Sequence, residues 1–317
     1  MVRKQPLATE RFRLNMGDDL RLPDFAIIGG SRCGTQWLRA CLIEHPQVYL
    51  TSEVNEIFFF DRYFDHGIQW YARLFRGYGG ERRVGDISPT YLADPLAPRR
   101  LHDVLPGATL LVSLRDPVQR AWSRYLQMWR KGDIDPRLGF RQACETMPGI
   151  IGDGEYFRCL QSWTGLFPAE QLHYLVLEDA KADPFAHLRR VYDILGVDPE
   201  FRAPSTTEKV NEHQTPRSLV FAKVAFRASR LLHHNKRLHT DLMAKRLAKR
   251  LGLKRLVFKE GRDPGKDPSP PSKADRAWLA AHYRDDVSAL SELTGRDLVG
   301  LWLDNGEAAE RGRLAAG

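Results

Sequence analysis

No stretch of the 317-residue chain approaches the ~18 consecutive apolar residues that a membrane-spanning helix needs. The opening segment MVRKQPLATERFRLNMGDDLRLPDF lacks the apolar centre of a secretory signal. Cysteine is scarce: Cys33, Cys41, Cys144 and Cys159 lie far apart with no CxxC pair. That spacing argues against a zinc knuckle or a disulfide framework and fits a reducing compartment. The ten histidines are scattered without a ligand spacing, so no metal is expected. Together these absences predict a cytoplasmic protein without a transmembrane segment.

An excess of acidic residues is also missing, since the net charge is +8. A basic balance favours anionic partners such as nucleotides, phosphorylated or sulfated sugars, nucleic acid or a membrane surface, and is equally met by a plain basic surface. No nucleic-acid recognition motif accompanies the charge, so nucleic acid is not an expected partner. Apolar content of 43% and charged content of 28% are ordinary for a soluble globular enzyme.

What is present alternates between two periods. Short apolar runs (FAIIGG, VYLT, RRVGDI, ATLLVSL and LHYLVLE) each precede a helical pattern, such as TQWLRACLIEHP or VQRAWSRYLQMWRKG. All-apolar strands alternating with helices predict a parallel sheet covered on both faces, with ligand chemistry at the carboxyl ends of the strands. Residues 1–22 read as a loose arm, 23–305 as a single α/β domain and 306–317 as a frayed tail. Within the domain, residues 203–275 read as a basic helical and loop insertion closing the cleft. Its basic stretch Arg230–Arg255 fits a solvated face, a guide for an anionic substrate, or a peripheral membrane contact.

The segment FAIIGGSRCGTQWL, residues 25–38, passes from strand to glycine turn to helix. Gly29, Gly30 and Gly34 allow tight turning, and the amides of residues 31 to 36 would face a phosphate at a helix amino terminus. Gly29 and Gly34 have the spacing of a kinase loop, but Thr35 and Gln36 occupy the lysine and hydroxyl positions that handle ATP and magnesium. Arg32, inside the loop, supplies a cation instead. A second element, SLRDPVQRAWSRY, places Arg115 just after a buried strand and Ser123 eight residues on. An arginine and a hydroxyl suit a second phosphate monoester, and they serve equally as a capping residue and a surface serine.

These two elements in this order resemble sulfotransferases that use 3'-phosphoadenosine 5'-phosphosulfate (PAPS), above all the heparan sulfate sulfotransferases and their bacterial relatives. GGSRCGT is similar to the family's 5'-phosphosulfate loop, and RDPVQRAWSRY matches its 3'-phosphate signature at every defined position. NEIFFFD with HGIQWYARLF, GDISPTYL, GEYFRCLQSW, YLVLEDAKADP and LSELTGRDLVGLW follow in family-like order, so the resemblance spans roughly residues 23–303.

The resemblance implies a P-loop-containing nucleotide-hydrolase-like three-layer α/β fold with a helical carboxyl-terminal region. It also implies sulfuryl transfer from PAPS to a hydroxyl or amine of a carbohydrate-like acceptor, leaving adenosine 3',5'-bisphosphate (PAP). By the same matching, Gly30, Ser31, Arg32, Cys33, Gly34, Thr35 and Gln36 form the loop around the 5'-phosphosulfate, and Arg115 and Ser123 hold the 3'-phosphate. Tyr156 lines the cofactor cleft, and Lys259, Gly261 and Arg262 belong to a basic loop over the 3'-phosphate. Arg32 acts electrostatically, and Glu56 is the general base, with burial beside Ile57, Phe58 and Phe59 expected to raise its pKa and Glu53 as its rival. Asn55, Phe58 and Ile87 depart from what relatives carry, which leaves the acceptor open. A P-loop nucleotide kinase and a nucleotide-binding protein without catalysis remain as alternatives.

Overall fold

The computed structural model describes residues 21–131, 133–135, 137–207, 214–216, 258–260 and 268–304. The chain divides into two compact units: Met1–Arg120 with Gly152–Val210 and Trp278–Gly317, and Ala121–Ile151 with Asn211–Ala277.

The first unit is built on a five-stranded sheet: β1 Phe25–Gly29, β2 Val48–Leu50, β3 Arg83–Ile87, β4 Thr109–Leu114 and β5 Leu172–Val176. All neighbours pair in parallel, in the order β2-β3-β1-β4-β5. Such strands must be buried on both faces, and every residue of β1 is. The chain winds from β1 to one edge and then crosses to β4, so the order reverses between β1 and β4. A crevice opens at their carboxyl ends, where ligands bind in such sheets. The glycine loop follows β1, and Arg115 follows β4.

Helices flank this sheet. On one face α1 (Thr35–Ile43) contributes Leu38, Cys41 and Leu42, and a helix at Pro184–Leu195 contributes Leu188, Val191 and Leu195, to a core with Phe25, Ile27, Leu111 and Leu175. The latter helix has unambiguous ends. The Asp183 side chain accepts from the Phe185 and Ala186 amides, Pro184 occupies the first turn, and Gly196 closes the helix at φ 64°. The expected strand LHYLVLE stops at Val176, because Leu177 already begins a short helix ending at Ala182. The pattern in GIQWYARLF gives a helix only over Ile68–Arg73.

In the second unit, Trp122, Tyr125 and Phe140 form an aromatic cluster with ring centroids 5.3 Å to 5.4 Å apart. Gln214–Pro216 pairs antiparallel with Phe258–Glu260. The helix Pro117–Lys131 and the long helix Lys273–Thr294 each cross the division between units. Among the described residues, no helix is long and apolar enough to cross a membrane. The amino-terminal arm before residue 21, the basic Arg230–Arg255 stretch and the tail after residue 304 lie outside the described residues.

Candidate functional site

The crevice is floored by the loop after β1. Gly30 donates its amide to the Ser113 carbonyl of β4, tying the loop to the switch point, and the Cys33 amide turns back to the Gly30 carbonyl at 3.2 Å. Gly34 sits at φ 86°, a left-handed conformation that glycine adopts without strain, and an added Cβ would in addition push the Leu177 side chain, 2.6 Å away, aside. Arg32 has φ 73° although it carries a side chain. A non-glycine residue held in the left-handed region costs energy and persists where the surroundings fix it, a pattern common at ligand clamps. No side chain caps α1, and a helix amino terminus left uncapped offers its first amides and the positive end of its dipole to an anion.

Arg115 and the loop are joined directly: a guanidinium nitrogen of Arg115 donates to the Arg32 carbonyl at 3.3 Å. Tyr156, fully buried, donates its hydroxyl to the Arg115 carbonyl at 2.9 Å and lies 3.3 Å from Cys33 Sγ. Tyr156 therefore locks the end of β4 to the loop, with its hydroxyl used internally. Burial pushes the Cys33 thiol up despite the Tyr156 contact and the nearby guanidinium groups of Arg120 and Arg115. It remains a neutral packing group.

Glu56 is tied to the start of α1. Gln36, in the first turn of α1, donates Nε2 to Glu56 Oε1 at 2.8 Å. One turn on, Arg39 donates to the carbonyls of Thr51 and Val54 at 2.8 Å and 3.3 Å, fixing the segment that carries Glu56. Burial lowers the Arg39 pKa, and the charge of Glu56 acts against that shift. Glu53 is exposed, while Glu56 is half-buried.

The residues after Glu56 hang on a buried carboxylate. Asp86, at 0% exposure, accepts from the hydroxyls of Tyr71, Ser88 and Tyr91 at 2.8 Å to 3.0 Å. Ser88 Oγ in turn accepts the Phe58 amide, and the Tyr91 hydroxyl accepts the amides of Phe59 and Phe60. Burial raises Asp86 to about 6, against the lowering effect of its three hydroxyl donors. Ile87, next in sequence, is part of the apolar core at 3% exposure.

A cleft of about 280 Å³ opens beside the loop, lined by Gly30 and Ser31, by Asp61 and Arg62, by Thr90 and Asp94, and by Asp153. Among the described residues, no group of three or more His, Cys, Asp or Glu side chains is placed to hold a metal ion.

The structure thus brings together Gly30, Ser31, Arg32, Cys33, Gly34, Thr35, Gln36, Arg115, Tyr156 and Glu56. Ser123 falls on the part of its helix in the second unit. Lys259 lies on the strand Phe258–Glu260, also in that unit, and Gly261 and Arg262 lie outside the described residues. Sequence reasoning missed the hold of Arg39 on the segment that carries Glu56 and the anchoring role of Asp86. For Asp86 a signal existed, because an aspartate inside an apolar strand that ends at Ser88–Pro89 needs partners.

Comparison with known proteins gives three findings. The description "Sulfotransferase domain" matches residues 22–224. The chain is 33% identical over 184 residues to heparan sulfate glucosamine 3-O-sulfotransferase 6 of Mus musculus, covering 56% of this chain and 53% of that protein. It is also 33% identical over 204 residues to heparan sulfate glucosamine 3-O-sulfotransferase 3A1 of Homo sapiens, covering 62% and 49%. The chain therefore spans about half the length of these relatives. Among solved structures, a sulfotransferase from Alicyclobacillus acidocaldarius aligns at TM-score 0.63 over 89% of this chain and 99% of that one, with 23% identity, which speaks for the fold.

Proposed function

Because the chain belongs to the PAPS-dependent sulfotransferase family, we propose that it moves the sulfuryl group of PAPS to a hydroxyl of a carbohydrate-like acceptor. The observation that carries this reading is the 2.8 Å contact between Gln36 at the start of α1 and Glu56. It sets a carboxylate against the helix terminus where the phosphosulfate would lie. A kinase would carry a magnesium-binding hydroxyl at the Gln36 position; here an amide occupies it and turns to Glu56.

In this reading the loop amides of residues 33–35 and the Thr35 hydroxyl hold the 5'-phosphate. Arg115 meets the 3'-phosphate, with Ser123 assigned by the sequence motif. Glu56 accepts the proton of the attacking hydroxyl while its oxygen forms the new bond to sulfur. The bond from sulfur to the 5'-phosphate oxygen breaks in the same step, and its electron pair leaves with PAP. Arg32 offsets the charge that gathers on that oxygen, and as a guanidinium it does so without giving up a proton. Glu56 later returns its proton to solvent. The relatives named above act, by their names, on heparan sulfate glucosamine, which supports a sugar hydroxyl as the nucleophile.

The test is Glu56→Gln. Turnover of PAPS should fall by roughly 100-fold or more, the usual weight of a positioned base, while PAP binding stays within a few-fold. Retained turnover moves the base elsewhere, with Glu53→Gln the next variant to measure.

A further inference from the structure

The glycine loop is backed by two residues that stand at the first positions of two different helices. Tyr156 opens the helix Tyr156–Thr164, and an added Cβ on Gly30 would lie 3.2 Å from its ring. Leu177 opens the helix Leu177–Ala182 and lies against Gly34. Neither helix is capped by the side chain of its own N-cap residue, so the first amides and the placement of each start depend on groups from elsewhere.

Both starts are held from one segment, residues 282–304, which belongs to the same unit as the loop. The Asp286 carboxylate accepts the amides of Phe157 and Arg158 at 3.0 Å and 2.9 Å, an amino-terminal cap lent by another helix. At the second start, Trp302 donates Nε1 to Glu178 Oε2 at 3.1 Å. The two terminal guanidinium nitrogens of Arg296 meet the two oxygens of Asp179, the paired geometry that fixes direction as well as distance. That contact holds the Asp179 carboxyl below its usual range. The Trp302 and Tyr156 rings, with centroids 6.1 Å apart, join the two ends. The segment is itself anchored, since Tyr283, Val287, Leu290, Leu298 and Trp302 are all buried.

We propose that residues 282–304 brace the nucleotide loop, and that Asp286, Arg296 and Trp302 are positioning residues that set its affinity for the nucleotide through Tyr156 and Leu177. The proposal rests on the sulfotransferase reading and adds to it residues that lie in neither phosphate motif. A loop with glycine at positions 29, 30 and 34 has little shape of its own, and any ordering it still lacks before binding is subtracted from its affinity. Tyr156 and Leu177 give it that shape from behind, and Tyr156 also holds the Arg115 carbonyl. A helix start that shifts therefore moves the loop amides and Arg115 out of aim.

The experiment measures Kd for PAP by titration calorimetry, well below the Tm of each variant, and records that Tm. Trp302→Phe keeps the ring and removes the N–H donor. Asp286→Ala removes the lent cap, and Asp286→Asn leaves an oxygen that still accepts one amide. Trp302→Phe and Asp286→Ala should each raise Kd by about fivefold or more, with Asp286→Asn between Asp286→Ala and the wild type. Leu290→Ala, buried in the same segment but outside these side-chain contacts, should lower Tm and leave Kd nearly unchanged. Leu177→Ala should itself raise Kd, and Trp302→Phe should then add less than it does in the wild type, because both act through one contact. Should Asp286→Ala not fold, Asp286→Asn and Trp302→Phe decide. An unchanged Kd in those variants while the wild type binds PAP overturns this proposal alone. So does a loss in Leu290→Ala as large as theirs, or fully independent effects of Leu177→Ala and Trp302→Phe. No PAP binding by the wild type overturns the sulfotransferase reading, and the brace with it.

Discussion

In the proposed reading Arg32 and Arg115 divide the charge of a two-phosphate nucleotide between them, and each makes a separate prediction. If Arg115 meets the 3'-phosphate, Arg115→Ala should weaken PAP binding by roughly 10- to 100-fold, the weight of a lost charge-assisted hydrogen bond. Binding of adenosine 5'-monophosphate should change by a few-fold at most. Titration calorimetry with both nucleotides checks this, and equal losses would remove Arg115 from the 3'-phosphate. Arg115 also holds the Arg32 carbonyl, so part of any common loss would come from a loosened loop. Arg32→Ala should act differently, lowering kcat by about 100-fold with PAP affinity nearly kept. If affinity falls and kcat does not, Arg32 is a binding group and the assigned role is wrong.

At the scale of elements, the carboxyl end of β3 and the turn after it act as an anchor. Asp86, Ser88 and Tyr91 together hold the amides of Phe58, Phe59 and Phe60, which fixes the segment that presents Glu56. Asp86 has its pKa raised to about 6 in the fold, against 3.8 when unperturbed. The native state therefore keeps a proton that the unfolded chain has released between about pH 4 and pH 6. Stability from this group is full below pH 4 and is lost as pH rises through 6, an effect on the order of 3 kcal/mol. Asp86→Asn cannot titrate, so the difference in unfolding free energy between variant and wild type should shift by that amount across the window. A constant difference from pH 4 to pH 7 contradicts it. Strands β1, β4 and β5 and helix α1 were legible in the sequence, because an all-apolar run or a 3.6-residue period is a local signal. The anchor was not, since Asp86 meets Phe58–Phe60 only after two separate segments fold onto β3. The cleft was hidden for the same reason: Ser31, Asp61, Thr90 and Asp153 are far apart in sequence. The place of Glu56 was read from the resemblance of NEIFFFD, and the contact with Gln36 follows from the fold.

For the whole molecule, the sheet order explains why two motifs about 80 residues apart can serve one ligand. The reversal between β1 and β4 sends the glycine loop and Arg115 to the same crevice, and strand order is a property that no local pattern encodes. The family match over residues 22–224 and this topology agree on a sulfotransferase fold, so the central claim is that the crevice selects a nucleotide with a 3'-phosphate. The direct measurement is thermal unfolding of the wild-type chain with PAP and, separately, with ATP and magnesium. At PAP concentrations near 100 times Kd, linkage predicts about 2.7 kcal/mol of stabilisation, a rise in Tm of about 5 °C for a chain of this size, with ATP giving much less. An equal or larger rise with magnesium and ATP, or no rise with PAP, would contradict the account.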